Sequence, residues 1–287
     1  MAASFADDRC VALGCRSVET LMEAFLKRDR AITGAVLAGL SALCWAYILA
    51  GAGTGMTALH MSALPTSRHV TGPMMFMEPM AWTASYAGIM LVMWWLMMVA
   101  MMLPSAAPAI LLFAALSRRQ KEAGRPYVPT GLFVAGYLAV WAAFSVGAVA
   151  LQWTLERTAL VSPLMVTTSA ILGGLILIGA GAWQFTPLKQ SCLRHCRSPI
   201  EVLTRWRRPG RFSSLLTGAM HGAYCFGCCW VMMLLLFYGG IMNIYWIAGL
   251  ASLVLVEKVA PAGPRIGRVV GSAFILWGAG VLFHFIS

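Results

Sequence analysis

The clearest shortage in this sequence is charge. Asp, Glu, Lys and Arg together make up 11% of the 287 residues, and 10 of these residues are acidic. Hydrophobic residues make up 60%, which is too large a share for an ordinary soluble globular domain. The low charge therefore excludes that class and indicates a protein embedded in a lipid bilayer.

Two further absences narrow the fold and the function. No nucleotide-binding motif is apparent, so any transport would not be driven by an ATPase in this chain. The apolar segments are continuous and about 20 residues long, and they lack the shorter alternating pattern of barrel strands. The sequence predicts an all-α fold, a polytopic bundle of transmembrane helices.

Seven apolar segments are long enough to be predicted as spans. They are 31–50, 85–113, 131–152, 165–186, 213–237, 241–257 and 268–286. Of the 21 Lys and Arg residues, all except Arg68 and Arg157 fall before the first span or on alternate loops. The positive-inside rule therefore places the N-terminus in the cytoplasm and the C-terminus outside. This topology, rather than a nucleic-acid partner, explains the net charge of +11.

The distribution of polar residues divides the chain into two parts. Residues 1–30 mix acidic, basic and apolar side chains, which predicts an amphipathic tail on the cytoplasmic surface. Residues 31–287 form the predicted transmembrane domain. Near the span ends, water is expected to satisfy Gln152 and Gln184, and Glu257 and Lys258 are expected either to pair with each other or to contact water.

The stretch HGAYCFGCCW, residues 221–230, holds a histidine and three cysteines and continues into an apolar segment. On one helix, at about 100° per residue, Cys225, Cys228 and Met232 lie within about 40° of His221. Thiolate, thioether and imidazole groups suit Cu(I) and, less exclusively, Zn(II). The predicted metal ligands are His221, Cys225, Cys228, Cys229 and Met232. The alternative is that Cys and Met pack as ordinary hydrophobic residues.

A second stripe of soft donors lies on the segment 85–113. Met90, Met93, Met97 and Met101 are spaced three, four and four residues apart, so they share one helical face. Met97 and Cys225 each lie about 12 residues into spans that enter from opposite sides, so neighbouring stripes would meet near the midplane. Met97 and Met101 are therefore candidate thioether ligands, with simple packing as the alternative.

Two loops contain further candidate ligands. Cys192, His195 and Cys196 are spaced as a partial metal site on the predicted cytoplasmic side, where a basic surface for docking a soluble metal carrier is the alternative. The predicted outside loop, 51–83, is rich in Met and contains His60 and His69. It would either collect copper or lie on the membrane interface.

Several of these motifs together resemble a known family. They are MMVAMMLPS at 97–105, LKQSCLRHCRSP at 188–199, HGAYCFGCCW at 221–230, MN at 242–243 and EK at 257–258. They are similar to the predicted metal-binding integral membrane proteins, a bacterial domain of unknown function, over roughly residues 75–285. The resemblance implies a helical domain in the bacterial inner membrane and metal binding, and it supplies no substrate.

Three functions are compatible with these features. The first is binding of Cu(I), with zinc less favoured, for transport or for delivery to a soluble metal carrier or membrane metalloenzyme. The second is a membrane enzyme that exchanges thiols with disulfides or quinone through Cys225 and Cys228. The third is a non-catalytic accessory subunit whose cysteines only pack. Whether the chain is an enzyme stays open.

Overall fold

The computed structural model describes residues 31–63, 81–122, 129–162, 165–199 and 211–286. The predicted tail, 1–30, and most of the Met-rich loop, including His69, lie outside these residues. Ten helices are named here in chain order. They are α1 (Ala31–Leu49), α2 (Ala58–Ala63), α3 (Ala84–Glu122), α4 (Thr130–Arg157), α5 (Ala170–Trp183), α6 (Pro187–Arg197), α7 (Arg211–Met233), α8 (Leu235–Gly239), α9 (Ile244–Val259) and α10 (Gly263–Ile286).

Apolar helices dominate the described chain and confirm the predicted all-α, polytopic bundle. Five are long and apolar enough to cross a membrane, and a sixth is gained if α5 and α6 form one bent span. They are Ala31–Leu49, Ala84–Arg118, Thr130–Arg157, Phe212–Gly239 and Gly263–Phe285. The remaining predicted span contains α9, whose 16 residues rise about 24 Å, less than the ~30 Å hydrocarbon core.

The chain bends by 61° between α5 and α6. Thr186 has an extended backbone, as expected for a residue before proline, and its hydroxyl accepts a hydrogen bond from the Lys189 amide at 3.2 Å. Pro187 then starts α6, where its missing amide donor costs nothing. As a result, the segment predicted as a cytoplasmic loop is an 11-residue helix that packs against α7.

Glycines allow α4 and α7 to pack closely. A Cβ atom at Gly136 would collide with the backbone of Leu215, and one at Gly218 would collide with the backbone of Phe133. Small residues at such crossings let helix backbones approach each other in membrane proteins. The close packing brings the inner face of α4, including Tyr137, against the cysteines of α7.

Helix α9 brings two charged residues into the bundle. Asn243 caps its start by accepting a hydrogen bond from the Tyr245 amide at 3.1 Å, and the helix packs against α3 and α10. Near its last turn, Glu257 and Lys258 are 2% and 8% exposed. Gln152 and Gln184 are equally buried. The expectation that water satisfies these side chains is therefore wrong. The alternative that Glu257 and Lys258 pair with each other is also wrong, because Glu257 pairs with Lys189.

Candidate metal centre

Helix α7 carries three cysteines into the centre of the bundle. Cys225, Cys228 and Cys229 are each at most 1% exposed. The thiols of Cys228 and Cys229 both donate to the carbonyl of Cys225, at 3.0 Å each. Thiols are weak donors, so these bonds hold the sulfur atoms only loosely and leave their lone pairs available to another ligand.

Helix α3 contributes a methionine to this group, and it is Met102. Its sulfur lies 3.8 Å from the Cys229 sulfur. Met97 and Met101, which the sequence predicted as ligands, are also fully buried. The described contact between a thioether and a thiol, however, is made by their neighbour Met102. The Met102 carbonyl accepts hydrogen bonds from Ser105 at 2.8 Å and from Tyr137 at 3.2 Å, which fixes the backbone at this position.

Helix α9 places an ammonium group on the thiol cluster. Lys258 Nζ lies 2.9 Å from Cys225 Sγ and 3.0 Å from Ser105 Oγ. The Tyr137 hydroxyl is 3.1 Å from the same sulfur. No carboxylate pairs with Lys258 among the described residues. Because a buried cation is costly without a countercharge, this contact favours the thiolate form of Cys225.

A second lysine beside the cluster is neutralised separately. Lys189 Nζ forms an ion pair with Glu257 Oε2 at 2.6 Å and also donates to Gln184. Gln184 Nε2 in turn donates to Glu257 Oε1 at 3.0 Å and lies 3.1 Å from the Met232 sulfur. Met232, a predicted metal ligand, therefore contacts this ion pair in the described structure.

The cysteines of α6 join those of α7. The Cys196 side chain lies beside that of Cys228, close enough for the two thiols to interact. The Cys192 sulfur approaches the α7 backbone so closely that a Cβ at Gly227 would lie 2.6 Å from it. His195 does not share the cluster, because its ring stacks on Tyr224 at 4.4 Å. The α6 cysteines and the α7 cysteines, which are about 30 residues apart in the sequence, therefore form one cluster in the structure.

His221 lies one helical turn before Cys225 and is 3% exposed. The centroid of its ring is 6.0 Å from that of Phe133 and 5.9 Å from that of Tyr137. Its Nδ1 atom has no hydrogen-bond partner among the described residues. Such a buried, unsatisfied nitrogen costs about 1–3 kcal/mol, so it would gain from a ligand.

No three His, Cys, Asp or Glu side chains of the described residues are grouped so that they could hold a metal ion. Cu(I) is nonetheless satisfied by a pair of soft donors in linear geometry, and thioethers add to the donors available here. The chemistry of the donor set, with five cysteines and a methionine on three helices, fits a soft monovalent ion. It does not resemble the oxygen-rich sites of harder cations.

Sequence reasoning did not identify Met102, Tyr137, Ser105 or Lys258 as parts of this cluster. Tyr137 and Ser105 carry no metal-binding signature, and Met102 lies off the stripe of α3. Lys258 did carry a signal, since an ionisable pair at the end of an apolar segment is a functional candidate when it is buried. Its burial, however, depends on how α9 packs.

The comparisons with known proteins agree with this chemistry. A family model described as "PpoB2: Copper chaperone" matches residues 91–281, a stretch that starts in α3 and ends in α10. All five cysteines of the cluster and Lys258 lie inside it. No curated protein and no solved structure matches the chain.

Proposed function

The chain belongs to the copper chaperone family whose model matches residues 91–281, and we propose that it binds Cu(I) at the buried thiols for transport or delivery to a partner. The observation that carries this proposal is the cluster itself: three α7 cysteines next to Met102, with Lys258 on Cys225. Thiolate and thioether donors select Cu(I) over harder ions.

Charge balance supports a single bound Cu(I). A pair of thiolates with one Cu(I) ion carries a net negative charge, which is costly in a low-dielectric interior. Lys189 is already paired with Glu257 at 2.6 Å. The ammonium of Lys258 is therefore the described cation available to neutralise a bis-thiolate copper complex, and it already contacts Cys225.

The proposed ligands are narrower than the set predicted from the sequence. Cys225 and Cys228 supply the two thiolates, and Cys229 is a third thiol beside them. Met102 adds a thioether, and the unsatisfied Nδ1 of His221 supports its role as a nitrogen donor. Met97, Met101 and Met232 then act as packing residues around the centre. Met97 and Met101 are tested as such below.

We place the protein in the bacterial inner membrane, with copper passing to a soluble metal carrier or a membrane metalloenzyme. Five to six apolar helices of spanning length support a multi-pass location, and the distribution of Lys and Arg supports a cytoplasmic N-terminus. On this topology the end of α9 that carries Lys258 faces the cytoplasmic half of the bilayer.

The test is anaerobic loading of the purified protein with Cu(I), followed by metal analysis and titration against a Cu(I) chelator. Cys225→Ser combined with Cys228→Ser should lose stoichiometric copper, because a hydroxyl is a hard and neutral donor. Cys44→Ser is the matched control, since Cys44 is also buried but lies on α1. It should retain copper.

Equal and negligible copper in the unmodified chain and in both variants would refute the proposal. The thiol-disulfide enzyme and the accessory subunit would then be the functions to pursue. A disulfide formed between two cluster cysteines under mild oxidation would favour the enzyme.

A further inference from the structure

The cysteines that α6 contributes to the thiol cluster are more exposed than those that α7 contributes. Cys225 and Cys228 are 1% exposed, whereas Cys192 and Cys196 on α6 are half-buried. Cys228 belongs to both groups, because its thiol donates to the Cys225 carbonyl on its own helix and lies beside the Cys196 side chain on the other. A metal ion bound to Cys228 therefore has a second sulfur donor nearby in each direction: the buried Cys225 on α7 and the more exposed Cys196 on α6.

The packing of α6 explains how its cysteines reach α7. Gly227 leaves room for the Cys192 sulfur, which would be 2.6 Å from a Cβ atom at that position. At the other end of α6, Arg197 Nη1 donates to the carbonyls of Glu257 and Ala260 at 2.7 Å each. The helix is thus attached both to the copper-binding helix and to the end of the helix that carries Lys258.

From this arrangement we propose that Cys192 and Cys196 form an exit subsite, to which Cu(I) moves from Cys225 while Cys228 holds it throughout. The inference rests on the proposed function, because it needs Cu(I) on the α7 thiols. It assigns α6 a role in releasing copper to a chelating partner, and it leaves the initial capture of copper to α7.

The transfer is an exchange of ligands without redox change. The bond between copper and Cys225 breaks as a bond between copper and Cys196 forms. The thiol proton lost by Cys196 is taken up by the Cys225 thiolate, so the charge of the cluster is unchanged. Copper stays Cu(I) throughout, and no electron donor or acceptor is required.

The half-buried position of α6 sets the direction of release. A water-soluble acceptor has better access to partly exposed residues such as Cys192 and Cys196 than to a cysteine that is 1% exposed. An ion held only by the α7 thiols must dissociate before it is captured, whereas an ion at the exit subsite can pass directly between ligands. Direct exchange avoids an unligated Cu(I) ion in a low-dielectric interior, which is a costly intermediate.

The experiment compares the unmodified chain with Cys192→Ser/Cys196→Ser after anaerobic loading with Cu(I). Three quantities are measured: copper per chain, affinity for Cu(I), and the rate at which bathocuproine disulfonate removes the ion. We expect one copper per chain and an affinity within about threefold in both proteins, with removal slowed by about tenfold or more in the variant. His195→Gln is the matched control on α6 and should release copper at the unmodified rate.

Two results would overturn the exit subsite while leaving the proposed function intact. One is an unchanged rate of removal in the double variant. The other is loss of the bound copper itself, which would make Cys192 and Cys196 primary ligands. Failure of the unmodified chain to hold Cu(I) would instead refute the proposed function. Gly227→Ala gives a second check, because a methyl group there displaces Cys192 and should also slow release.

Discussion

Two polar networks extend into the buried core of this apolar bundle, and they differ in how strongly their atoms are hydrogen-bonded. At the end where α3 begins and α4 ends, Gln152 accepts a hydrogen bond from Trp94 Nε1 at 2.8 Å and donates to Glu156 at 2.8 Å. The other oxygen of Glu156 accepts from Trp82 at 2.7 Å. We call these four residues the glutamine network, and its bonds are short and made by strong donors.

The thiol cluster is paired far more loosely. The thiols of Cys228 and Cys229 are weak donors that donate to a carbonyl of their own helix, and Cys229 reaches in addition only the weakly accepting sulfur of Met102. Nδ1 of His221 has no partner among the described residues. Each network contains fully buried polar residues, such as Gln152 and Cys228, so burial alone does not distinguish a structural group from a binding group. The distinction is whether the polar atoms already have strong partners or would gain them from a ligand.

The largest effect should come from Lys258→Met. It removes the cation that balances a bis-thiolate copper complex, and a hydrogen bond to a charged group is worth about 1.5–3 kcal/mol. Cu(I) affinity should therefore fall by about ten- to a hundredfold. Chelator competition measures this loss, and Arg265→Met, which removes an equal charge from an exposed position, should leave the affinity unchanged. Equal affinities in both variants would contradict the charge-balance argument.

Gln152→Leu should destabilise the protein through the glutamine network and leave Cu(I) affinity unchanged. The change strips Trp94 Nε1 of its acceptor and Glu156 of one donor, at a cost of about 1–3 kcal/mol in unfolding free energy. Thermal unfolding in detergent measures that cost, with the exposed Thr154→Val on the same helix as a neutral control. If Cu(I) affinity fell as much as stability, the two networks would be coupled and the comparison would be wrong.

His221→Phe should separate metal binding from stability. Phenylalanine keeps the ring between Phe133 and Tyr137 and removes an unsatisfied nitrogen, so stability should be unchanged or slightly higher. Cu(I) affinity should fall by about tenfold if the imidazole completes the site, a loss of ~1.4 kcal/mol. His195→Phe is the comparison variant and should retain full affinity. Full affinity in His221→Phe would remove this residue from the ligand set.

The smallest effect is expected from Met97→Leu combined with Met101→Leu. Leucine is close to methionine in volume, and such swaps are well tolerated in cores. Cu(I) affinity should stay within about twofold, whereas Met102→Leu should weaken it by about three- to tenfold. X-ray absorption of the bound copper should lose a thioether signal only in the Met102 variant. If the Met97/Met101 variant lost affinity and the thioether signal while the Met102 variant kept both, the thioether ligand would be Met97 or Met101.

Sequence reasoning worked best where one helix holds the whole pattern. The cysteines of α7 were singled out from their spacing, and the structure places all three in one buried cluster. It worked less well between helices. Met101 was singled out because the spacing of the methionines put it on one stripe, which Met102 does not share. Which face of α3 meets α7 depends on how the helices pack.

Predictions from the polarity of a segment were wrong at two places in the chain. A basic segment after a span was predicted as a surface loop, but the Thr186–Pro187 turn folds it back as α6 beside α7. Glu257 and Lys258 were expected to pair with each other or to contact water, because charged residues are rarely buried without partners. Their partners, Lys189 and Cys225, come from α6 and α7 and are distant in the sequence.

The sequence by itself determined the all-α bundle, because long apolar runs with few charges have no other stable arrangement in a bilayer. It also determined that soft donors are concentrated on α7, since helical period and spacing fix which residues share a face. Only the tertiary structure decided which donors meet. The bend before α6, the close crossing of α4 with α7 and the short α9 bring Cys196, Tyr137 and Lys258 to the thiols. Contacts between distant segments depend on packing, and no local pattern encodes them.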